Sequence, residues 1–200
     1  MSGTDSKRER ILAAALDIFS TQGFANATVQ EIAGRAKVGK GTVYTYFPAK
    51  EDILTYLLDE GLAHMGQHIG NRIRTVKGSA TKLQAILREQ LRYFHEHQSL
   101  CRLLAREAWG HDYASDSLAQ RIRSSYIGML QEVIEKGIKE GELRALDSET
   151  VATALYGMTS IVALYAKDLS CEKALERIEM TLQELFFGGI TLSPATMQEA

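Results

Sequence analysis

Two prolines in 200 residues, two cysteines seventy positions apart and a single tryptophan leave several folds without their usual material. So little proline, with helix formers throughout, favours an all-α chain over one built from short strands and turns. Cys101 and Cys171 have no CxxC motif and no histidine-rich partner. Neither a disulfide framework nor a zinc-finger pattern is indicated, and reduced thiols in a cytoplasmic protein are expected. The opening residues are polar and run straight into an amphipathic helix, with no apolar signal core, which also points to the cytoplasm. Also missing are a P-loop, a GxGxxG turn, Ser-His-Asp or Cys-His arrangements and a carboxylate-bridged metal motif. The expectation is therefore no enzyme and no cofactor. His64 and His68 have the i, i+4 spacing of a metal pair but lack an assured third ligand, so solvated or interface histidines are expected rather than a metal.

Net charge is also scarce, with 23 Lys/Arg against 25 Asp/Glu, but it is unevenly spread. Residues 1–50 carry seven basic and four acidic side chains, and the remaining 150 carry sixteen and twenty-one. A basic head on an acidic body draws phosphate to one end and discourages it elsewhere.

From Lys7 to about Thr21, apolar Ile11, Leu12, Ala15, Ile18 and Phe19 recur at helical spacing, and Gly23 supplies a stop. Thr28 and Glu31 form a T-x-x-E capping box, so a second helix of about two turns begins at Val29. A third runs from about Lys40 to Tyr46 and ends before Pro48. Two short helices around a tight turn make a helix-turn-helix. A seven-residue helix bearing Lys40, Thr42, Tyr44, Thr45 and Tyr46 cannot stand alone in water, so a scaffold must present it, and the major groove of double-stranded DNA fits that presentation.

A fourth helix, Lys50 to about Thr75, carries a wide apolar face and links head to body. Breaks at Gly78-Ser79, Tyr113 to Asp116, Gly141 to Asp147 and Asp168 to Ser170 separate four or five further helices. One of these, Ser148 to Lys167, has sixteen consecutive uncharged residues from Val151 to Ala166, too short and too polar for a membrane span. A helix apolar all round must be covered on all sides. Val151, Leu155, Met158, Val162 and Tyr165 are assigned to its own core, leaving Ala154, Gly157, Ile161 and Leu164 for another surface. The last helix offers Leu175, Ile178, Leu182, Leu185 and Phe186. The expectation is a four-helix homodimer interface built from both.

In the head, Lys40, Thr42, Tyr44 and Thr45 are placed to meet base edges, and Gly41 lets the backbone come close. Thr28 and Lys50 are expected at phosphates, the lysine reinforced by the helix N-terminus behind it. Val38, Val43 and Phe47 point towards the first helix.

These residues resemble the TetR family of bacterial transcriptional regulators: a capped second helix, then Gly-Thr-Val-Tyr-Thr-Tyr-Phe, then Lys-Glu-Asp-Ile-Leu opening the fourth helix. The close match covers about residues 8 to 58. The resemblance implies an all-α homodimer of about nine helices, with a helix-turn-helix domain over 1–50, a ligand-binding and dimerisation domain over 51–200, and usually repression of a palindromic operator. It also implies that Tyr46 is a phosphate-binding ring. Three positions depart from the family pattern: Lys37 where glycine is frequent, Gly39 where Ser or Thr often caps the third helix, and Ala49 where a small polar cap is common.

For control, Phe94, Trp109, Tyr126, Met129 and Tyr156, with Gln90, Arg92, His95 and Arg106 near them in sequence, have the composition of a small-molecule pocket. The arginines admit a carboxylate or phosphate, which keeps a fatty acyl thioester among the candidates. Two alternatives remain open at this level: a DNA-binding regulator controlled by a protein partner or a metal, and a helical enzyme or carrier with a buried cofactor.

Overall fold

The computed structural model describes residues 3–109, 123–165 and 172–190, with side chains over 6–107, 125–165 and 172–190. Among these are nine α-helices and no strand: α1 Gly3–Gln22, α2 Val29–Ala36, α3 Lys40–Tyr46, α4 Lys50–Ile73, α5 Ser79–Glu96, α6 Gln98–Trp109, α7 Gly128–Lys139, α8 Ser148–Tyr165 and α9 Glu172–Ile190. One π-helical turn, Arg123–Ile127, leads into α7. None of the described helices is long and apolar enough to cross a membrane. The breaks expected around Tyr113 to Asp116 and Asp168 to Ser170 lie outside the described residues, as does Cys171.

Contacts gather into two compact units. The first holds α1 to α3, α4 as far as Ala63, and α6; the second holds α4 from His64, then α5 and α7 to α9. In the first, α1 packs on both α2 and α6. Ile11, Ala15, Phe19, Ile32, Val43, Ile53, Leu58 and Leu103 are fully buried there. Gly23 closes α1 with φ +87° and an amide that donates to Phe19 O at 3.0 Å, a left-handed turn that glycine adopts without a Cβ penalty.

The second unit is organised around α5, which packs against α7, α8 and α9. Its buried Leu83, Ile86, Leu87, Gln90, Leu91 and Phe94 follow the i, i+3, i+4, i+7 period of one helical face. At Gly137 an added Cβ would lie 2.7 Å from Ser79 Cβ and 2.6 Å from Leu143 Cδ1, so only glycine lets α7 come this close to the start of α5. Asp147 caps α8 by accepting from Thr150 N at 2.8 Å, and bonds from the Thr150 side chain first and its amide second hold the Asp147 carboxyl below the ordinary range.

The break between α5 and α6 falls at His97 alone, where there is no glycine or proline to mark it. The division of α8's faces also differs from expectation. Leu155 is buried and Val151, Met158 and Val162 half-buried, but Tyr165 is 78% exposed. It extends the stripe of Ala154 and Ile161, eleven and four residues before it, because i, i+7 and i+11 share a helical face.

Candidate nucleic-acid interface and helical body

The helix-turn-helix forms through local hydrogen bonds that the sequence encodes. Thr28 accepts from Glu31 N at 3.2 Å, and Glu31 Oε2 accepts from Thr28 N at 2.8 Å, completing the capping box. The Thr28 hydroxyl also donates to Glu31 at 2.8 Å, and these bonds lower the Glu31 carboxyl, the side-chain bond most. To meet a phosphate, Thr28 must turn its hydroxyl away from Glu31. Lys37 then ends α2 at φ +54°, the left-handed conformation that glycine would adopt without a Cβ penalty. Its amide bonds back to Gly34 O and that of Val38 to Ala33 O, which closes the turn.

Gly39 caps α3 without a side-chain bond. Within α3 only Val43 is buried; Tyr44 is 44% exposed, Lys40, Gly41 and Thr45 are exposed, and Thr42 and Tyr46 are half-buried. The structure therefore brings the six expected residues of α3 onto one short helix with one anchor. Thr45 Oγ1 donates to Gly41 O at 2.9 Å, so its hydroxyl proton is spent inside the helix. Lys40 Nζ lies 5.9 Å from the Tyr44 ring centre. At the start of α4, Ala49 cannot cap through its side chain, but Asp52 Oδ2 accepts Ala49 N at 2.8 Å and supplies half of a capping box.

Lys50 departs from the role expected for it. Its ammonium donates to Phe24 O at 2.8 Å and Ala27 O at 2.9 Å and stands 4.2 Å from the centre of the Phe24 ring. Two of its three protons satisfy the α1–α2 loop, so its main work is to tie that loop to α4. Arg8 was not foreseen: its guanidinium lies 4.1 Å over the Tyr56 ring and donates to the Tyr56 hydroxyl at 3.1 Å. The basic N-terminal run was the only sequence signal for it.

In the second unit, Tyr126 OH donates to Gln90 Oε1 at 2.9 Å, and Gln90 Nε2 donates to Ser160 Oγ at 3.1 Å, all three buried. Burial, then the neighbouring Tyr156, pushes the Tyr126 hydroxyl well above its ordinary range, so it stays protonated and donates. The Tyr126 and Tyr156 rings are 5.5 Å apart. Of the expected pocket residues, the structure thus joins Tyr126 and Tyr156 through contact and places buried Phe94 one turn beyond Gln90 on α5, with Met129 half-buried on α7. Trp109 ends α6 in the first unit, and its side chain lies outside the described residues. Gln90, one of the polar groups expected beside these aromatics, is the centre of the array, and Ser160, which joins it from α8, is the residue the sequence did not single out.

His64 Nδ1 lies 2.9 Å from Tyr93 OH, and His68 Nε2 lies 3.6 Å from Glu89 Oε2. Both histidines face α5, and no group of three metal-ligating side chains occurs among the described residues. Cys101 is a free thiol; burial pushes it up to about 12, which leaves it protonated and unreactive.

The expected interface residues divide. Leu175 and Leu182 are 6% and 4% exposed within a single chain, so they have no apolar area left to offer a partner. Ala154 and Ile161 on α8 and Leu185 on α9 are exposed, and Gly157, Leu164, Ile178 and Phe186 half-buried. Tyr165 and Met180, not assigned to this surface from sequence, join it at 78% and 71% exposure.

Comparison with known proteins agrees with this architecture. The family described as "Bacterial regulatory proteins, tetR family" matches residues 11–57, and "Tetracyclin repressor-like, C-terminal domain" matches residues 77–164. The "Fatty acid metabolism regulator protein" of Bacillus subtilis is 28% identical over 155 residues, 76% of this chain and 78% of that protein. The uncharacterised HTH-type regulator YhgD of the same organism is 27% identical over 73% of this chain and 76% of its own length. Among solved structures, the fatty acid degradation regulator FadR of Bacillus halodurans superposes with a TM-score of 0.80 at 22% identity, covering 92% of this chain and 95% of that one. FadR of Bacillus subtilis, solved in complex with stearoyl-CoA, gives 0.79 at 22% over 91% and 98%. A capped helix-turn-helix matched over 11–57 and a helical body matched over 77–164 make this chain a member of the TetR family of bacterial helix-turn-helix transcriptional regulators.

Proposed function

We propose that this regulator is a repressor that binds a palindromic operator as a homodimer and is released by a small amphipathic effector, with fatty acyl thioesters as the effector class. The observation that carries the DNA half is α3, a helix with one buried residue out of seven. A helix so poorly anchored gains little from its own packing, and its outward side chains are the lysine, hydroxyl and ring groups that read base edges and phosphates. Lys40, Gly41, Thr42, Tyr44 and Thr45 meet the groove in this reading, and Thr28 and Tyr46 the backbone. Lys50 contributes by holding the α1–α2 loop that presents them. Two heads related by a dimer axis match half-sites one helical turn apart or a multiple of it.

Dimerisation rests on the apolar stripes Ala154, Gly157, Ile161, Leu164 and Tyr165 on α8 and Ile178, Met180, Leu185 and Phe186 on α9. Self-complementary apolar surfaces of this kind are most simply covered by a second copy.

The effector half is supported by the buried Tyr126–Gln90–Ser160 array, since polar groups in an apolar interior are what fix the orientation of a small ligand. The fatty acid regulators among the relatives favour an acyl chain with a polar end. Release is then a population shift, which requires the effector to favour the conformation that binds DNA less well. Operator titrations with and without oleoyl-CoA test this: reciprocal weakening of the two affinities supports it, and independent titrations overturn it.

A further inference from the structure

Residues 61–88 contain no Asp or Glu but hold Arg72, Arg74, Lys77, Lys82 and Arg88, inside a body in which acid otherwise predominates. Within the second unit this stretch turns the corner from α4 to α5, and there it borders a cavity of about 470 Å³ lined by Lys77, Lys82 and Lys136, with Glu132 as its one acid and Val76 and Val133 among its walls. The volume falls in the range of small-ligand sites.

The α5 N-terminus does not account for these lysines, because Glu142 Oε2 already accepts Ser79 N at 2.5 Å and Ala80 N at 3.1 Å. Lys136 pairs with Glu140 at 3.7 Å, but both side chains are largely exposed and such a pair is readily exchanged for a better anion. Lys77 of the α4–α5 turn, Lys82 of α5 and Lys136 of α7 line this one concavity with a single carboxylate among its lining residues. An anion there gains from the like charges gathered around it, and a phosphate offers several acceptor oxygens to lysines that come from separate segments.

We propose that this cavity binds a phosphate-bearing anion, most simply a diphosphate, between Lys77, Lys82 and Lys136. Two sources share that chemistry: the phosphorylated end of the effector, which rests on the reading above, and a separate phosphorylated metabolite. Ser79 precedes Gln90 by eleven residues on α5 and Lys136 follows Tyr126 by ten, so the cavity lies about 15 Å along both elements from the buried Tyr126–Gln90 pair. An extended amide-linked arm between a thioester and a diphosphate covers a separation of that order.

The test is calorimetric titration of the full chain with inorganic pyrophosphate, adenosine 3′,5′-bisphosphate, oleoyl-CoA and oleate, using wild type, the triple variant Lys77→Gln/Lys82→Gln/Lys136→Gln and Glu132→Gln. The site predicts salt-sensitive pyrophosphate binding that falls at least tenfold in the triple variant and rises two- to fivefold in Glu132→Gln, with oleate unchanged and melting temperatures preserved. A parallel loss for oleoyl-CoA assigns the site to the effector's tail; a loss confined to pyrophosphate and the bisphosphate assigns it to a separate metabolite. Pyrophosphate binding that is absent, or equal in wild type and triple variant, overturns the site. So does a triple variant that binds operator more weakly without any ligand, since the lysines would then serve DNA. Failure of both oleoyl-CoA and oleate to change operator affinity would count against the effector reading alone, leaving the pyrophosphate titration to decide the site.

Discussion

Helices α3 and α8 both expose what an ordinary surface helix would not, and they do so in opposite ways. In α3, seven residues hold one buried valine, and its outward side chains are a lysine, two threonines and two tyrosines. In α8, no charge follows Glu149, and Ile161 and Tyr165 stand in the open. The first surface wants a hydrated, charged, grooved partner; the second loses free energy in water until an apolar surface covers it, at roughly 25 cal/mol per Å². One chain thus carries two unfinished surfaces, and the chemistry of each states what completes it.

The most disruptive way to break the comparison is to charge the apolar face. Ile161→Glu with Leu185→Glu should convert the dimer to monomer by sedimentation while leaving helicity intact, and operator affinity should fall at least a hundredfold as avidity is lost. A dimer that survives both changes removes α8 and α9 from the interface. Next is the polar face: Lys40→Ala should weaken cognate DNA by about 1–3 kcal/mol and scrambled DNA much less, if the lysine makes a bidentate base contact. Equal losses on both sequences would make Lys40 a phosphate contact only.

A smaller effect separates reading DNA from holding the reader. Lys50→Met should lower the stability of the first unit by about 1–2 kcal/mol, because two loop carbonyls lose a charged donor at a partly exposed site. A variant that loses DNA binding with no loss of stability would restore Lys50 to direct phosphate contact. The capping box adds a pH signature. The folded Glu31 carboxyl is lowered by its bonds from Thr28, so its stabilisation is complete above the carboxyl's unfolded value and is lost as the pH falls through the lowered one. Acid titration of stability should therefore be shallower in Glu31→Gln than in wild type. Smallest is Lys37→Gly, which relieves a left-handed residue and should gain a few tenths to about 1 kcal/mol after the added freedom of the unfolded chain is subtracted. A loss on thermal denaturation would mean that the Lys37 side chain makes a stabilising contact.

The head was legible because its signals are local. Thr28 with Glu31, Gly23 and Pro48 fix helix ends through bonds or steric limits spanning a few residues, and α2, α3 and the start of α4 fall where those residues place them. The body was legible in the helices found among the described residues and in its surplus of apolar surface, but not in how each face divides. Tyr165, Leu175 and Leu182 show why: the hydrophobic period says that a residue lies on an apolar stripe, whereas tertiary packing decides which of two stripes is core. The turn at His97 left no glycine or proline to read. Lys50 illustrates the remaining gap, since a lysine beside a helix N-terminus reads as an anion site until the carbonyls of a loop 23 to 26 residues away are seen to claim it.

Selection of bound duplexes from a random DNA pool, followed by native mass spectrometry of the winning duplex with the protein, tests the account most directly. The enriched sequence should be an inverted repeat with half-sites one helical turn apart, or a multiple of it, carrying two chains joined through α8 and α9. An enriched single half-site holding one chain, or no enriched sequence at all, would contradict it.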